Sequence, residues 1–349
     1  MKRFLVLTSM IVLMLMLVAC SQEGGNETAP MNEGNNENDA GNGESGAQSF
    51  KLTLAHNLSE EHPVHLGLVK FTELVEERTN GEIKFDIFAN GVLGDEREVL
   101  EQVQAGGVAI TKVSAASLEN FASQYAVFSL PYVFMDRDHF YRSMESEAVR
   151  ELYQATKEQG FIGLTYYDSG ARSFYTVDTP IMHPDDLKGL KIRVMDSPTQ
   201  IELVEILGGA PTPMPYGEIY TDLQQGVVDG AESNVTVLTT GGHGEVAKAF
   251  SFNEHTRIPD IVVISSDVWD ELSTEQQEIL LQAAAESTEY HKEIWNEALE
   301  VAQKEAEEMG VEFYYPDPKP FREAVQPMLE KYRQDPQINT LMEAIEALQ

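Results

Sequence analysis

"TEQQEILLQAAAESTEYHKEIWNEALEVAQKEAEEMG", residues 274–310, is the stretch on which the architecture turns. It contains no proline and no glycine before Gly310, and its pattern is helical throughout. Helices of globular proteins usually run about 8–20 residues, so this one is long for a single lobe. A helix of that reach spans or braces two.

Upstream, the chain supplies α/β units for such a helix to join. FKLTLAHN (50–57) alternates like a strand, and PVHLGLVKFTELVEERTNG (63–81) carries apolar residues at helical spacing before Asn80-Gly81 stops it. EIKFDIF (82–88) is a second strand, GDEREVLEQVQAGG (94–107) a helix with acids in its first turn, and VAITKVS (108–114) a third strand. The order strand, helix, strand, helix, strand predicts a lobe with a mostly parallel sheet. FSLPYVF (128–134) is an apolar segment broken by proline, and DRDHFYRSMESEAVRELYQATKEQG (136–160) reads as one long helix. A second unit follows: FIGLTYYDSGARSFYTV (161–177) as one or two strands, DDLKGLKIRVM (185–195) as a helical turn and strand, and SPTQIELVEILGG (197–209) as a helix. PMPYGEIYTDLQQGVVDGAES (213–233) is a helix running into a strand, and PDIVVISSDVWDEL (259–272) returns to a strand and a helix start.

The N-terminus has a different character. Lys2 and Arg3 precede an apolar run from Phe4 to Val18, and Leu17-Val18-Ala19-Cys20 closes it. This is the pattern of a lipoprotein signal over residues 1–20, with the Cys20 thiol as the site for diacylglycerol. The run is short for a membrane span of ~20 residues. Cys20 is the only cysteine, which excludes an internal disulfide and a cysteine-built metal site. Residues 21–49 hold six Gly, six Asn and six acidic residues with no Lys, Arg or aromatic. Such a segment cannot bury enough surface to offset its ordering entropy, so it reads as a disordered linker. The folded body starts near Phe50.

The formal charge is −34, about −36 once Lys2 and Arg3 leave with the signal. Nucleic acid and an anionic membrane surface are poor partners for such a chain. Catalytic patterns are missing too. Pro63 separates His62 from His65 in EHPVH, which suits a helix start rather than a metal pair, and no HExxH, GxSxG or GxxxxGK[ST] occurs. GHGEVA (242–247) lacks the strand–turn–helix frame of a dinucleotide loop. The reading is of a protein that is not an enzyme, with no catalytic residues, metal or cofactor.

GLKIRVMDSP (189–198) poses the sharpest question. In a strand Ile192 and Val194 share one face, and Arg193 points to the other. That face meets solvent, an internal carboxylate such as Asp196 or Glu218, or a ligand. The strand pattern alone does not choose. The acidic surroundings add one argument: an organic anion is repelled at long range over ~8 Å, so its capture needs a local positive pocket, and arginines are few.

FSLPYVF, GARSFYT (170–176), DDLKGLKIRVMDSP, LGGAPTPMPYGEIYTDLQQGVVDGAES (207–233) and NEHTRIPDIVVIS (253–265), in this order, resemble the substrate-binding proteins of TRAP transporters, the tripartite ATP-independent systems for organic acids. The resemblance runs from about Leu52 to about Gly310, and Tyr216 to Glu232 is its most specific part. It implies an α/β, two-lobed periplasmic-binding-protein-like fold with a hinge, mixed sheets and a long helix spanning both lobes. Lobe I would be 50–170 plus 259–298, and lobe II 171–258 plus 299–349. It also implies an exported receptor, lipid-anchored through Cys20 at the outer face of the cytoplasmic membrane and monomeric. Such a receptor captures an organic acid and delivers it to the small and large permease subunits.

Site residues carry over position by position. Arg193 matches the arginine that clamps the ligand carboxylate with two parallel donors, and Arg172 in GARSFYT matches a second cationic contact. Tyr216 matches an aromatic that packs on the ligand, or plain core. Glu232, Ser233 and Asn234 match a stretch where the family often shows a ligand-contacting asparagine; Ser233 stands at that position here and Asn234 follows it, so the contact is one of these two. Glu96 resembles a residue that bonds hydroxyls in sugar-acid binders, or is a helix-dipole acid, and His56 has the same standing. His255 contacts ligand or packs near the hinge, and Met195 and Met214 are apolar walls. The expected ligand is a sugar acid such as a uronate or aldonate, ahead of a C4-dicarboxylate. An exported sensor of the same fold and a secreted hydrolase are the alternatives.

Overall fold

The structure, a computed structural model, describes residues 49–349. The signal, Cys20 and the linker up to residue 48 lie outside the described residues. Eleven strands form two mixed sheets. The first contains β1 (Phe50–Ala55), β2 (Ile83–Phe88), β3 (Ile110–Ser114), β4 (Phe161–Tyr167) and β10 (Asp260–Ser265), in the order β2-β1-β3-β10-β4. The second contains β5 (Arg172–Thr176), β6 (Lys191–Val194), β7 (Ala210–Pro213), β8 (Gly230–Ser233), β9 (Ala249–Thr256) and β11 (Glu312–Tyr314), in the order β11-β9-β5-β8-β6-β7.

The first sheet is less parallel than the sequence suggests. β1 pairs in parallel with β2 and β3, but β10 runs antiparallel between β3 and β4. The reason is the route of the chain: β10 re-enters from the second sheet through residues 257–259, without the helical crossover that parallel neighbours need. A second difference lies at 136–160. Two helices, Arg137–Met144 and Glu147–Ala155, stand where the periodicity predicts one. The Ser146 side chain accepts from Val149 N and caps the second, an N-cap that starts a new helix without any glycine or proline.

The 35-residue helix Thr274–Glu308 is unbroken and about 52 Å long at 1.5 Å per residue. Leu280, Ala283 and Ala284 belong to an apolar cluster with β1, β10 and the helix Pro63–Arg78. Ala302 and Ala306 belong to another with Tyr175, Ala231 and Phe250 of the second sheet. One helix therefore contributes to the cores on both sides, as its length suggests. Among the described residues no helix is long and apolar enough to cross a membrane.

The sheets are joined by residues 168–171 and 257–259, and these connections are tied together. Asp168, fully buried, accepts from Gly170 N (2.8 Å) and Tyr141 Oη (2.9 Å), and lies 3.2 Å from Arg257 Nη1. Its carbonyl meets His291 Nε2 of the long helix at 2.9 Å. Gly170 has φ +72°, and a Cβ there would stand 3.0 Å from Asn234 Cβ. Only glycine satisfies both the left-handed backbone and that approach.

Edge strand β4 is covered by the helix Glu147–Ala155, and Gly163 admits the ring of Tyr153. A Cβ on Gly163 would lie 2.5 Å from Tyr153 Cγ and 2.8 Å from its Cβ, the rigid root of that side chain. Gly163→Ala should therefore destabilise the protein by about 1–3 kcal/mol through overpacking. Urea denaturation checks this, and an unchanged midpoint contradicts the packing.

Candidate functional site

A cavity of ≈ 330 Å³ lies between the two sheets, within the range of small-molecule sites. Arg172, Arg193, Met214, Tyr216, Ser233 and Asn234 line one wall, from β5, β6, β8 and the segments after β7 and β8. The other wall carries Asn57, His62, Glu96, Lys112, Ser117 and Asp260, from the first sheet and its helices.

Arg193 is 4 % exposed. Its Nε (3.1 Å) and Nη2 (2.8 Å) donate to the Met214 carbonyl, which fixes the plane of the guanidinium and leaves Nη1 and one Nη2 proton free. Among the described residues no carboxylate comes within 4.0 Å. Asp196 pairs with Arg97 instead (2.9 Å), and Glu218 is exposed. Burial pulls the Arg193 guanidinium below its ordinary value, only partly countered by Glu232, but an arginine stays charged in a protein.

Arg172 differs. Its Nε bonds Glu232 Oε2 at 2.6 Å, and Nη2 bonds Glu232 Oε1 (2.8 Å) and the Glu232 carbonyl (2.7 Å). Nη1 is left. Burial works against the Arg172 charge, but Glu232 more than offsets it and the net shift is upward. Burial likewise raises Glu232, yet Arg172 and then His255 outweigh it and hold the carboxyl at about 2. Glu232 is fully buried and does not line the cavity; it stands behind Arg172 as a positioning residue. His255 Nε2 is 3.5 Å from Glu232 Oε2, long for a hydrogen bond, and its ring stacks on Phe174 with centroids 4.6 Å apart.

Ser233 and Asn234 both reach the cavity. Asn234 Oδ1 accepts from Thr236 N (2.9 Å) and Thr236 Oγ1 (2.6 Å), so its amide NH₂ is the group left over for a ligand. Tyr216 packs against apolar clusters of both sides, 5.6 Å from the His243 ring. Burial raises its hydroxyl. Met195 and Met214 line the cavity as walls. Glu96 lines it too, held by Lys112 Nζ (2.7 Å) and Ser117 Oγ (2.8 Å). Burial acts to raise Glu96, but Lys112 outweighs it and the net shift is downward.

His56 does not line the cavity. Its Nδ1 accepts from Leu58 N and its Nε2 meets His65 Nδ1 at 2.9 Å. Burial, then the charge of Lys112, holds His56 down at about 3. The neighbouring His62 reaches the cavity instead. Lys112, Asp260, Asn57 and Ser117 were not expected there. Lys112 carried a usable signal: a charged residue in the middle of the apolar strand VAITKVS, the same anomaly as Arg193 in KIRV.

The mouth is bridged by Arg97 to Asp196 and by Asn120 Nδ2 to the Asp196 carbonyl (2.6 Å). An exposed pair of this kind contributes only about 0–1 kcal/mol. The buried Glu119 is the stronger link. Its carboxylate accepts from Ser197 Oγ, Thr199 N and Thr199 Oγ1 at the start of the helix Pro198–Ile206.

Two lobes' worth of sheet around a cation-bearing cleft define a solute receptor. The model of the bacterial extracellular solute-binding protein family 7, DctP, matches residues 54–335, and the chain belongs to this family of TRAP solute-binding proteins. It is similar to the uncharacterised protein YiiZ of Salmonella typhimurium, 44 % identical over 86 % of this chain and 92 % of that one. It is 31 % identical to the C4-dicarboxylate-binding periplasmic protein DctP of Rhodobacter capsulatus, over 76 % and 79 %. The crystal structure of a TRAP solute-binding protein from Anaerococcus prevotii with bound glucuronate superposes with a TM-score of 0.84, at 37 % identity, covering 85 % of this chain and 97 % of that one. Its family is one of extracellular substrate-binding receptors rather than enzymes.

The depressed Glu232 gives a pH prediction. A carboxyl held at about 2, below its ordinary 4.5, contributes stability that is complete above pH 4.5 and lost as pH falls towards 2. Glu232→Gln should cost about 3–5 kcal/mol at neutral pH by stranding the Arg172 charge. It should also flatten the fall in stability between those two pH values. Denaturation midpoints across pH 2–7 measure both.

Proposed function

We propose that this receptor captures a hexuronate, with Arg193 clamping its single carboxylate. The observation that carries the reading is the buried Arg193 guanidinium, planar and fixed on Met214, facing the cavity with no carboxylate partner among the described residues. Removing an ion from water costs several kcal/mol even after relaxation, and a ligand carboxylate meeting two parallel N–H groups recovers it.

Charge balance favours a monocarboxylate. Arg172 is neutralised by Glu232, Lys112 by Glu96, and Arg97 by Asp196. Among the described residues, Arg193 is the one cation of the cavity left without an acid. A sugar acid fits this count better than a C4-dicarboxylate, since its remaining groups are hydroxyls that meet Glu96, Asn234 and Ser233. The Anaerococcus neighbour's glucuronate supports the same choice. Arg172 Nη1 is a second cationic donor, and Tyr216 a wall against the sugar ring.

The lobes follow the sheets, 50–170 with 259–298 and 171–258 with 299 onwards. The last helix, Pro336–Glu346, is better assigned to the first lobe, since it packs on the helix Glu147–Ala155 and on the 3-10 turn Ser123–Ser129. The protein works as a lipid-anchored monomer, tethered through Cys20, and passes its ligand unaltered to a TRAP permease.

Calorimetry with D-glucuronate tests the clamp. Arg193→Ala should weaken binding by at least about 30-fold, the lower end for truncating one partner of a buried charge pair. Arg193→Lys should recover only a small part, because an ammonium lacks the planar fork. Unchanged affinity in Arg193→Ala refutes the clamp.

A further inference from the structure

Resting on the uronate reading, we propose that Asp260 sets the specificity of the cavity: its carboxylate accepts ligand hydroxyl protons and excludes a second ligand carboxylate. The wall opposite the arginines is built on a three-way cluster. Lys112 Nζ lies 2.7 Å from Glu96 Oε1 and 3.5 Å from Asp260 Oδ1. Lys112 and Asp260 are 3 % and 5 % exposed. The short contact goes to Glu96, whose other oxygen accepts from Ser117 Oγ at 2.8 Å. Both Glu96 oxygens are therefore engaged.

Asp260 is not. Its Oδ1 has only the long contact with Lys112, and no donor among the described residues meets Oδ2. One lysine cannot balance two carboxylates, so this wall keeps a net negative charge inside a receptor for anions. In a purely anion-attracting site that is a defect. In a site for a monoanionic polyol it does two things. A hydroxyl gives the free oxygen the proton it lacks, forming a charge-assisted bond. A carboxylate has no proton to give and repels it, since two carboxylates sharing one site cannot both ionise freely. A dicarboxylate would fit only with a proton taken up from solvent, and Asp260 is the group to take it. Burial raises its carboxyl against the opposing pull of Lys112, while Glu96 raises it further and Arg172 lowers it. These three groups reach it from β3, the helix Glu96–Gln104 and β5.

The test is calorimetry of the full receptor with D-glucuronate, D-glucarate and succinate, in wild type, Asp260→Asn and Asp260→Ser. Lys112 keeps its close partner Glu96 in both variants, and a thermal melt confirms folding. Either neutral variant should improve D-glucarate or succinate relative to D-glucuronate by at least about tenfold, the order expected for removing one close like charge. In wild type the dicarboxylates should gain on D-glucuronate as pH falls from 7.5 to 5.5. An unchanged ratio in the folded variants overturns the role of Asp260. Failure of D-glucuronate to bind wild type overturns the uronate reading instead, and a gain by the dicarboxylates in Asp260→Asn would still stand by itself.

Discussion

A buried guanidinium with no carboxylate partner among the described residues is the constraint to which the rest of the site answers. Its charge cannot be neutralised by titration, because arginine holds its proton at any ordinary pH. The protein fixes the group through its strand and the Met214 carbonyl, and satisfies every neighbouring cation elsewhere. Glu232 accounts for Arg172, Glu96 for Lys112 and Asp196 for Arg97. That division keeps the field at one point and in one orientation, and under the proposed clamp a ligand is selected by where its charge lies as well as by its sign.

The acidity of the chain gives this arrangement its significance. With a formal charge of −34, the surface opposes the approach of any anion, and only groups within a Debye length of the mouth can reverse that. Recognition is thus confined to the cavity. Encounter then depends little on steering by the protein as a whole, unlike proteins that draw ligands in with a face of opposite charge.

Much of this was legible in the sequence, for reasons that differ by residue. The long helix was readable because periodicity without a breaker is a local property, and it remains local over 35 residues. Arg193 stood out because a charge in an apolar strand is an anomaly needing a cause, but the strand pattern left solvent, carboxylate and ligand open, and only the resemblance pointed to a ligand. Lys112 presented the same anomaly and went unremarked, since its partners Glu96 and Asp260 come from distant parts of the chain. His56 and His62 could not be told apart by pattern: which one reaches the cavity depends on the turn after β1 and on the helix capped by His62. Glu232 sits in a strand buried on both faces, so only the paired strand β5 shows that it faces Arg172. The break at Ser146 was hidden because helical periodicity continues across a cap.

The helix Thr274–Glu308 also has a consequence for folding. Its first half completes one core and its second half the other, so neither sheet has its full apolar cover until this late part of the chain is in place. A nascent chain that has already made β1 to β10 still exposes apolar surface on each sheet. The last tenth of the sequence adds Phe321, Met328 and Ile338 to the largest cluster. Native packing of both cores therefore waits for the long helix and the segment that follows it.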